Sequence, residues 1–160
     1  MDIKERIIVD YSKSIAELIS AGDYKWTNPY ITSKNFPTPA NLVGKKIEIS
    51  IKLFSLDNKT SEKSIEESRS AGYRPATIIE LLAFEIELIK MRKDAPKEKD
   101  KKGEEKNERF DIVALGSVWC NSPKTSFVPS LSDDGKKPAI GFGNFNGRWR
   151  DGYSSLAVKI

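Results

Sequence analysis

The chain has 160 residues, 38% of them hydrophobic, which is enough for one domain with its own core. Histidine is absent and Cys120 is the single cysteine, which excludes histidine-based catalysis, the usual zinc sites, intrachain disulfides and thiolate clusters. The 27 Lys and Arg residues are nearly balanced by 23 Asp and Glu residues, so the net charge of +4 indicates nucleic-acid binding only weakly.

The first six residues are mostly charged, unlike a signal peptide, and no segment has the apolar length of a membrane span. These features predict a cytoplasmic protein, although surface display by another route stays open. Residues 7–9 are β-branched and predict a strand. Ser12 or Ser14 then caps a predicted helix that ends near Gly22.

Residues 24–39 are rich in aromatic residues, Asn, Thr and Pro, which predicts an ordered loop packed by its own large side chains. Residues 45–55 alternate between isoleucine or leucine and polar residues, the pattern of a half-buried strand. Residues 61–71 predict a short charged helix that ends at Gly72.

A largely buried helix is predicted after Pro75, with Thr77 and Glu80 forming a capping box at its start. Glu80, Glu85 and Glu87 are predicted to lie on its outer face, where glutamates usually occur. The alternative interpretation is a carboxylate cluster for acid–base or metal chemistry.

Residues 90–109 are almost all charged and have no apolar period, which predicts a mobile loop or an insertion. The alternative is a basic nucleic-acid-binding segment that acts together with Arg148 and Arg150.

The composition then changes to strand-forming residues. Strands are predicted at residues 112–119, 126–131, 139–142 and 156–160, with a turn at residues 133–135, so the C-terminal third is predicted to be a small antiparallel sheet. The glycines of residues 141–147 are predicted to set turns, because no dinucleotide-binding spacing is present. Asp133, Asp134 and Asp151 form a weak alternative calcium site.

The order strand, helix, ordered loop, strand, helix and several short strands resembles the C-type lectin fold. That resemblance implies a single α+β domain over residues 1–160, with two helices, pairing of the first and last strands, and an irregular ligand-binding face near the C-terminus.

Four motifs narrow the resemblance: ITSKNFP at 31–37, GYRPATIIELLAF at 72–84, IVALGSVW at 112–119, and FNGRW at 145–149 with LAV at 156–158. They are similar to a family of small microbial proteins that resembles the variable proteins of diversity-generating retroelements. In such systems a reverse transcriptase rewrites adenine positions in the last segment of a gene. The resemblance implies a variable region at about residues 117–160.

Adenine-directed change of an AAC codon can produce many residue types, but never Trp, Lys, Glu, Gln or Met. The residues predicted to form the variable ligand-binding surface are Cys120, Asn121, Ser126, Ser130, Ser132, Phe142, Asn144, Asn146, Arg148, Arg150, Tyr153 and Ser154. The residues predicted to form the fixed frame are Trp119, Val128, Pro129, Phe145, Trp149, Leu156 and Val158.

These observations predict a ligand-binding protein that is not an enzyme and uses no cofactor or metal. Phe142 and Tyr153 are predicted to act as rigid anchors, the two asparagines as adaptable hydrogen-bonding groups and the two arginines as charged contacts. Trp119 and Trp149 are predicted to pack beneath this surface. The expected partner is an unidentified protein or other macromolecule. An enzyme using Glu80 or Asp151 is a further alternative.

Overall fold

The computed structural model describes residues 5–94 and 109–160. Within these ranges the chain forms a mixed α+β fold with three helices and nine strands. The elements are β1 Arg6–Asp10, α1 Ile15–Ser20, β2 Trp26–Thr27, β3 Lys46–Ser55, α2 Ser61–Ser70, β4 Tyr73–Pro75, α3 Ile78–Asp94, β5 Phe110–Val113, β6 Trp119–Ser122, β7 Thr125–Asp133, β8 Pro138–Asn144 and β9 Tyr153–Lys159.

The strands join in one large sheet in the order β1-β3-β9-β5-β7-β8-β2, with β4 added to β9 and β6 added to β7. The pairs β5–β9 and β2–β8 are parallel and the other pairs are antiparallel. The prediction of a small antiparallel sheet in the C-terminal third is therefore wrong, because these strands belong to a mixed sheet that also contains the N-terminal strands.

Strand β9 lies inside the sheet, and Leu156, Ala157 and Val158 are buried. It pairs with the second half of β3, whereas β1 pairs with the first half. The pairing of first and last strands that the C-type lectin resemblance implies is thus wrong for this chain. A ten-residue β3 is long enough to pair with both strands in succession along its length.

Neighbouring residues of a strand point to opposite faces, so the register separates the sheet into two faces. Ile112, Leu131 and Ile140 are aligned across β5, β7 and β8 and belong to the main core, which also contains much of α3. Val113 and Ser130 are aligned on the other face. The main core therefore covers one face and leaves the other for different contacts.

Helix α3 is buried over most of its length, as predicted, but Glu80 is buried with it rather than exposed. The two terminal guanidinium nitrogens of Arg74 donate to the Glu80 carboxylate, at 2.9 and 2.6 Å. The Tyr11 hydroxyl donates to the same carboxylate at 2.5 Å. The Thr77 backbone N–H donates at 2.8 Å, which supplies half of the predicted capping box. Burial raises the pKa of Glu80, but these donors outweigh it and hold the pKa below its ordinary value.

Glu85 is also completely buried, which contradicts its predicted place on the outer face of the helix. Neither of its carboxylate oxygens has a hydrogen-bond partner among the described residues. Burial and the nearby charge of Asp133 raise the pKa of Glu85 to about 8, although Arg92 acts in the opposite direction. Glu85 is therefore protonated near neutral pH, in contrast with the ionised Glu80.

Residues 90–94 were predicted to belong to the mobile loop, but they form the last part of α3. Residues 95–108, which carry most of the predicted mobile loop and basic segment, lie outside the described residues. Among the described residues, no helix is long and apolar enough to cross a membrane.

The Glu85 proton makes the stability of the protein pH-dependent. Because the folded-state pKa of about 8 lies above the ordinary value of 4.5, the folded protein holds a proton that the unfolded chain releases. We expect the free energy of unfolding to fall by up to about 1.4 kcal/mol per pH unit as pH rises from 5 to 8. In urea unfolding measured at several pH values, the free energy of unfolding should fall less steeply with pH for Glu85→Gln than for the wild type.

The exposed Glu62 provides the control, since Glu62→Gln should keep the wild-type pH dependence. If the free energy of unfolding changes with pH equally for the wild type and Glu85→Gln, the assignment of the buried proton is wrong.

Candidate ligand-binding cleft

The site is organised by two glycines of β8. A Cβ atom at Gly141 would lie 3.0 Å from Trp26 Cζ3, and one at Gly143 would lie 2.6 Å from Trp149 Cη2. Both glycines point to the sheet face opposite the main core, so the two indoles lie close against the bare backbone. The prediction that these glycines set turns is wrong for this pair, whereas Gly147, at φ 85°, does adopt a conformation that favours glycine.

Trp149 is the centre of a second, smaller core on this face. It packs with Leu56, Val113, Leu115 and Val128, and it is 7% exposed. Its Nε1–H donates to the Ser61 hydroxyl at 2.8 Å, and that hydroxyl in turn donates to the carbonyl of Phe145 at 2.7 Å. These contacts attach the 145–149 segment to the start of α2.

Four aromatic rings form a cluster on the other side of β8. Phe127, Phe142 and Trp119 contact one another, with ring centroids 5.6 Å apart for Phe127–Phe142, 5.4 Å for Phe142–Trp119 and 6.3 Å for Trp119–Phe127. Tyr30 stacks on Trp119 at 5.2 Å. It lies at the edge of the cluster and remains 58% exposed.

A cleft of about 890 Å³ opens between these groups. Gly141 and Phe142 are adjacent in β8 and both line it, so the cleft takes its walls from both faces of the strand. Its volume is in the range of small-ligand sites. The lining residues are Trp26, Asn28, Tyr30, Trp119, Cys120, Asn121, Phe127, Ser130, Ser132, Ala139, Gly141, Phe142 and Tyr153.

The polar groups of the cleft are hydroxyls and amides. Ser132 donates to Asp111 Oδ1 at 2.7 Å, and Asn28 Oδ1 accepts from the backbone N–H of Tyr30 at 2.9 Å. Ser130 is only 7% exposed and also lines the cleft. None of the described lining residues carries a formal charge.

Six of the twelve predicted variable residues line this cleft, namely Cys120, Asn121, Ser130, Ser132, Phe142 and Tyr153. The Cys120 thiol lies 3.3 Å from the hydroxyl of Ser126. Ser130 is the member of the set that lies deepest, so a larger residue there would need to displace its neighbours.

The other predicted variable residues lie outside the cleft. Asn144 and Asn146 are exposed, and Asn144 Oδ1 accepts from the Asn146 backbone at 2.9 Å. Arg148 donates to the carbonyl of Asn58 at 2.8 Å, and Arg150 is exposed. Ser154 is half-buried and pairs with Ser55 of β3. The structure therefore divides the predicted surface into a cleft and a separate exposed loop.

Most of the predicted frame is buried. Val128, Pro129, Trp149, Leu156 and Val158 are buried and Phe145 is half-buried. Trp119 differs, since it is half-buried and lines the cleft instead of packing beneath it. The reason is its place in β6, which ends in the β6–β7 hairpin at one side of the sheet.

The sequence prediction missed Trp26, Asn28 and Tyr30, which were assigned to a loop packed by its own side chains. Trp26 is 54% exposed, because β2 is a two-residue strand at the sheet edge beside β8. The density of aromatic residues in this loop was a usable signal. Their exposure depends on the parallel pairing with β8, which local sequence does not specify.

Asp133 and Asp134, considered above as calcium ligands, have structural partners. Asp133 pairs with Arg92 at 2.7 Å, and Asp134 accepts from Lys25 at 2.9 Å and from two backbone N–H groups. These hydrogen bonds hold the pKa of Asp134 below its ordinary value. Among the described residues, no group of three or more potential metal ligands occurs. Neither Glu80 nor Asp151 lines the cleft.

No protein-family model, curated protein or solved structure matches this chain. The C-type lectin resemblance and the retroelement family are therefore predictions from the sequence.

The contact between Gly143 and Trp149 predicts a specific loss of stability. Gly143→Ala places a methyl group where the indole lies, and overpacking of this kind costs about 1–3 kcal/mol. We expect a lower melting temperature and a changed near-ultraviolet circular dichroism spectrum from the displaced Trp149. The nearby exposed Arg150→Ala should change stability by less than about 0.5 kcal/mol. Similar effects of the two substitutions would contradict the proposed packing.

Proposed function

We infer that this chain is a ligand-binding protein whose recognition surface is the cleft together with the exposed 144–150 segment. The observation that carries the proposal is the coincidence of two independent patterns. Six residues predicted to vary line a cleft of ligand-binding size, and most residues predicted to be constant are buried. Because Asn144, Asn146 and Arg150 are exposed, these positions can change with little effect on the core.

The chemistry of the cleft supports binding more than catalysis. Its polar groups are serine and tyrosine hydroxyls, asparagine amides, indole N–H groups and one thiol, and no carboxylate, lysine or arginine is among the described lining residues. Aromatic rings with small polar residues are the combination that recognition surfaces use for contact area and adaptable hydrogen bonds. Mutually activating acid and base groups are the feature that general acid–base catalysis would require.

Diversification by a retroelement is the proposed origin of this surface. The support comes from residue types: positions that adenine mutagenesis can reach are interspersed with a largely buried frame over residues 119–158. Of the C-type lectin resemblance, we propose only that a recognition face lies near the C-terminus. The pairing of β1 with β3 separates this chain from the strand order that the resemblance implied.

A pair of display libraries tests the division between surface and frame. One library randomises exposed surface positions, Cys120, Asn121, Asn144, Asn146 and Arg150. The other randomises frame positions, Val128, Phe145, Trp149, Leu156 and Val158.

We expect most clones of the surface library to resist proteolysis, because these side chains contribute little to the core, and most clones of the frame library to be degraded. Selection of the surface library on a purified test protein should yield binders. Equal loss of folded clones in both libraries, or no binder from a well-folded surface library, would count against the proposed function.

The genomic prediction is separate. The gene should lie near a reverse transcriptase and a near-copy of its last segment that differs only at adenines. Sequencing of the locus decides this directly. Absence of such a copy would remove the diversification proposal, while the ligand-binding proposal would still be judged by the libraries.

A further inference from the structure

We propose that the cleft binds an extended, uncharged segment of a protein partner, which adds to the sheet as a further strand along the outer edge of β8 at residues 141–144. This inference rests on the proposed ligand-binding function and adds the mode of binding and the class of ligand.

The outer edge of β8 is covered only in part. The two-residue β2 pairs in parallel with Ala139 and Ile140, and the backbone N–H of Asn28 then donates to the Ile140 carbonyl at 2.9 Å. The carbonyl of Asn28 accepts from the N–H of Ile31 at 3.1 Å, so the chain turns away from β8 at this point. Among the described residues, no strand pairs with this edge of β8 beyond Ile140.

Two residues direct their backbone groups to the open part of this edge. The carbonyl of Ile140 points toward β2, and the backbone groups of every second residue in a strand point to the same side. Phe142 and Asn144 therefore direct their N–H and C=O groups away from β7, whereas those of Gly141 and Gly143 point toward it. Unpaired backbone groups of this kind are a template for one more strand.

The cleft surrounds this open edge. Gly141 and Phe142 both line it, with the aromatic cluster on the side of Phe142 and Trp26 on the side of Gly141. A strand laid along the edge directs successive side chains alternately to these two sides. The cleft therefore has a wall for each set of side chains, and the edge has backbone groups for the main chain between them.

The opposite edge of the sheet provides a comparison. Among the described strands, β1 also has a neighbour on one side only, but its exposed Arg6 forms an ion pair with Glu48 of β3 at 3.9 Å. Charged side chains on an edge strand hinder the addition of another strand. The described residues that line the cleft at β8 carry no formal charge. The β8 edge is thus the less protected of the two, and its surroundings fit an uncharged segment.

A second copy of this chain fits the open edge less well than a single extended segment does. The open run is bounded by β2 at one end and by the segment after Asn144 at the other. Antiparallel pairing of two β8 edges would therefore bring the segment after Asn144 of one copy against β2 of the other. A single extended segment meets no such obstacle.

The open edge can be measured in the free, full-length ¹⁵N-labelled protein by amide hydrogen exchange. The N–H groups of Gly141 and Gly143 point toward β7 and should exchange slowly, whereas that of Phe142 should exchange faster. Equally slow exchange at all three residues in the free protein would show that the edge is already covered, which would overturn the inference.

The binding test uses the peptide N-acetyl-Thr-Val-Thr-Val-Thr-amide, which is uncharged and composed of strand-forming residues. Titration should shift the backbone N–H signals of Phe142 and Asn144 and slow the exchange at Phe142. The expected dissociation constant is on the order of millimolar for so short a probe. Absence of these changes at the solubility limit of the peptide would contradict strand addition.

A methylated peptide separates recognition of the main chain from recognition of side chains. The same sequence with every amide nitrogen methylated keeps its side chains but cannot donate hydrogen bonds to β8, so it should not bind. Equal binding of the two peptides would mean that only side chains are recognised, and the inference would be wrong.

Two proline variants compare the edges of the sheet. Asn144→Pro removes an N–H group that points away from β7, and it should weaken peptide binding about five-fold, as expected for the loss of one hydrogen bond. Ile8→Pro is the matched control, because the register with β3 and the Tyr11 N–H bond to Lys45 direct the Ile8 N–H away from β3. It should leave binding unchanged. Thermal unfolding checks that both variants are folded, and a weakening caused by Ile8→Pro instead would place the peptide on β1.

Failure of the broader function is distinguishable from failure of this inference. If binders selected from the surface library leave the exchange at Phe142 unchanged, only the mode of binding is wrong. If the surface library is well folded but yields no binder, the proposed function fails whatever the peptide does. A dimer that forms without peptide in analytical ultracentrifugation and protects the Phe142 N–H would show that the edge pairs with a second copy, which also overturns the inference.

Discussion

The absence of side chains at Gly141 and Gly143 is the constraint on which the C-terminal half of the molecule depends. A strand must place alternate residues on opposite faces, and here one face of β8 carries Phe142 while the other is bare backbone. The bare face accepts two indoles at close range. Trp149 thereby closes a second core beside α2, and Trp26 is held at the edge of the cleft. The short segment Gly141–Phe142–Gly143 thus contacts the aromatic cluster through Phe142 and the two indoles through its glycines.

Helix α3 presents two buried glutamates that are accommodated in opposite ways. Glu80 is ionised and fully partnered, and its hydrogen bonds connect the residue after β1, strand β4 and the start of α3. Glu85 lacks such donors, so protonation is the less costly way to bury it. Removing one partner of the Glu80 network would leave a buried charge, which is why this network matters more for the fold than an exposed ion pair does.

The proposed function places different demands on the predicted variable residues. A diversified protein must tolerate change at its variable positions without loss of the core. Asn144, Asn146 and Arg150 meet this demand because they are exposed. Phe142 and Ser130 are more constrained, because Phe142 packs against the main core and Ser130 is buried. The exposed loop is therefore the part of the proposed surface that can change most freely.

The sequence by itself determined the elements whose signals are local. The helix cap at Ser14, the alternation of β3, the apolar helix after Pro75 and the turn at residues 133–135 all formed where local pattern predicted them. It also separated most of the buried frame from the exposed loop, because apolar residues with strand alternation must face a core.

Only the tertiary structure decided which strands pair, where the glutamates lie and which aromatic residues line the cleft. Strand order depends on contacts between residues far apart in the chain, so the pairing of β9 with both β3 and β5 could not be derived from local pattern. The burial of Glu80 depends on Arg74 and Tyr11, which reach it from other elements. Trp26 and Tyr30 line a cleft because a two-residue strand pairs in parallel with β8, a long-range contact that leaves no periodic signal in the sequence.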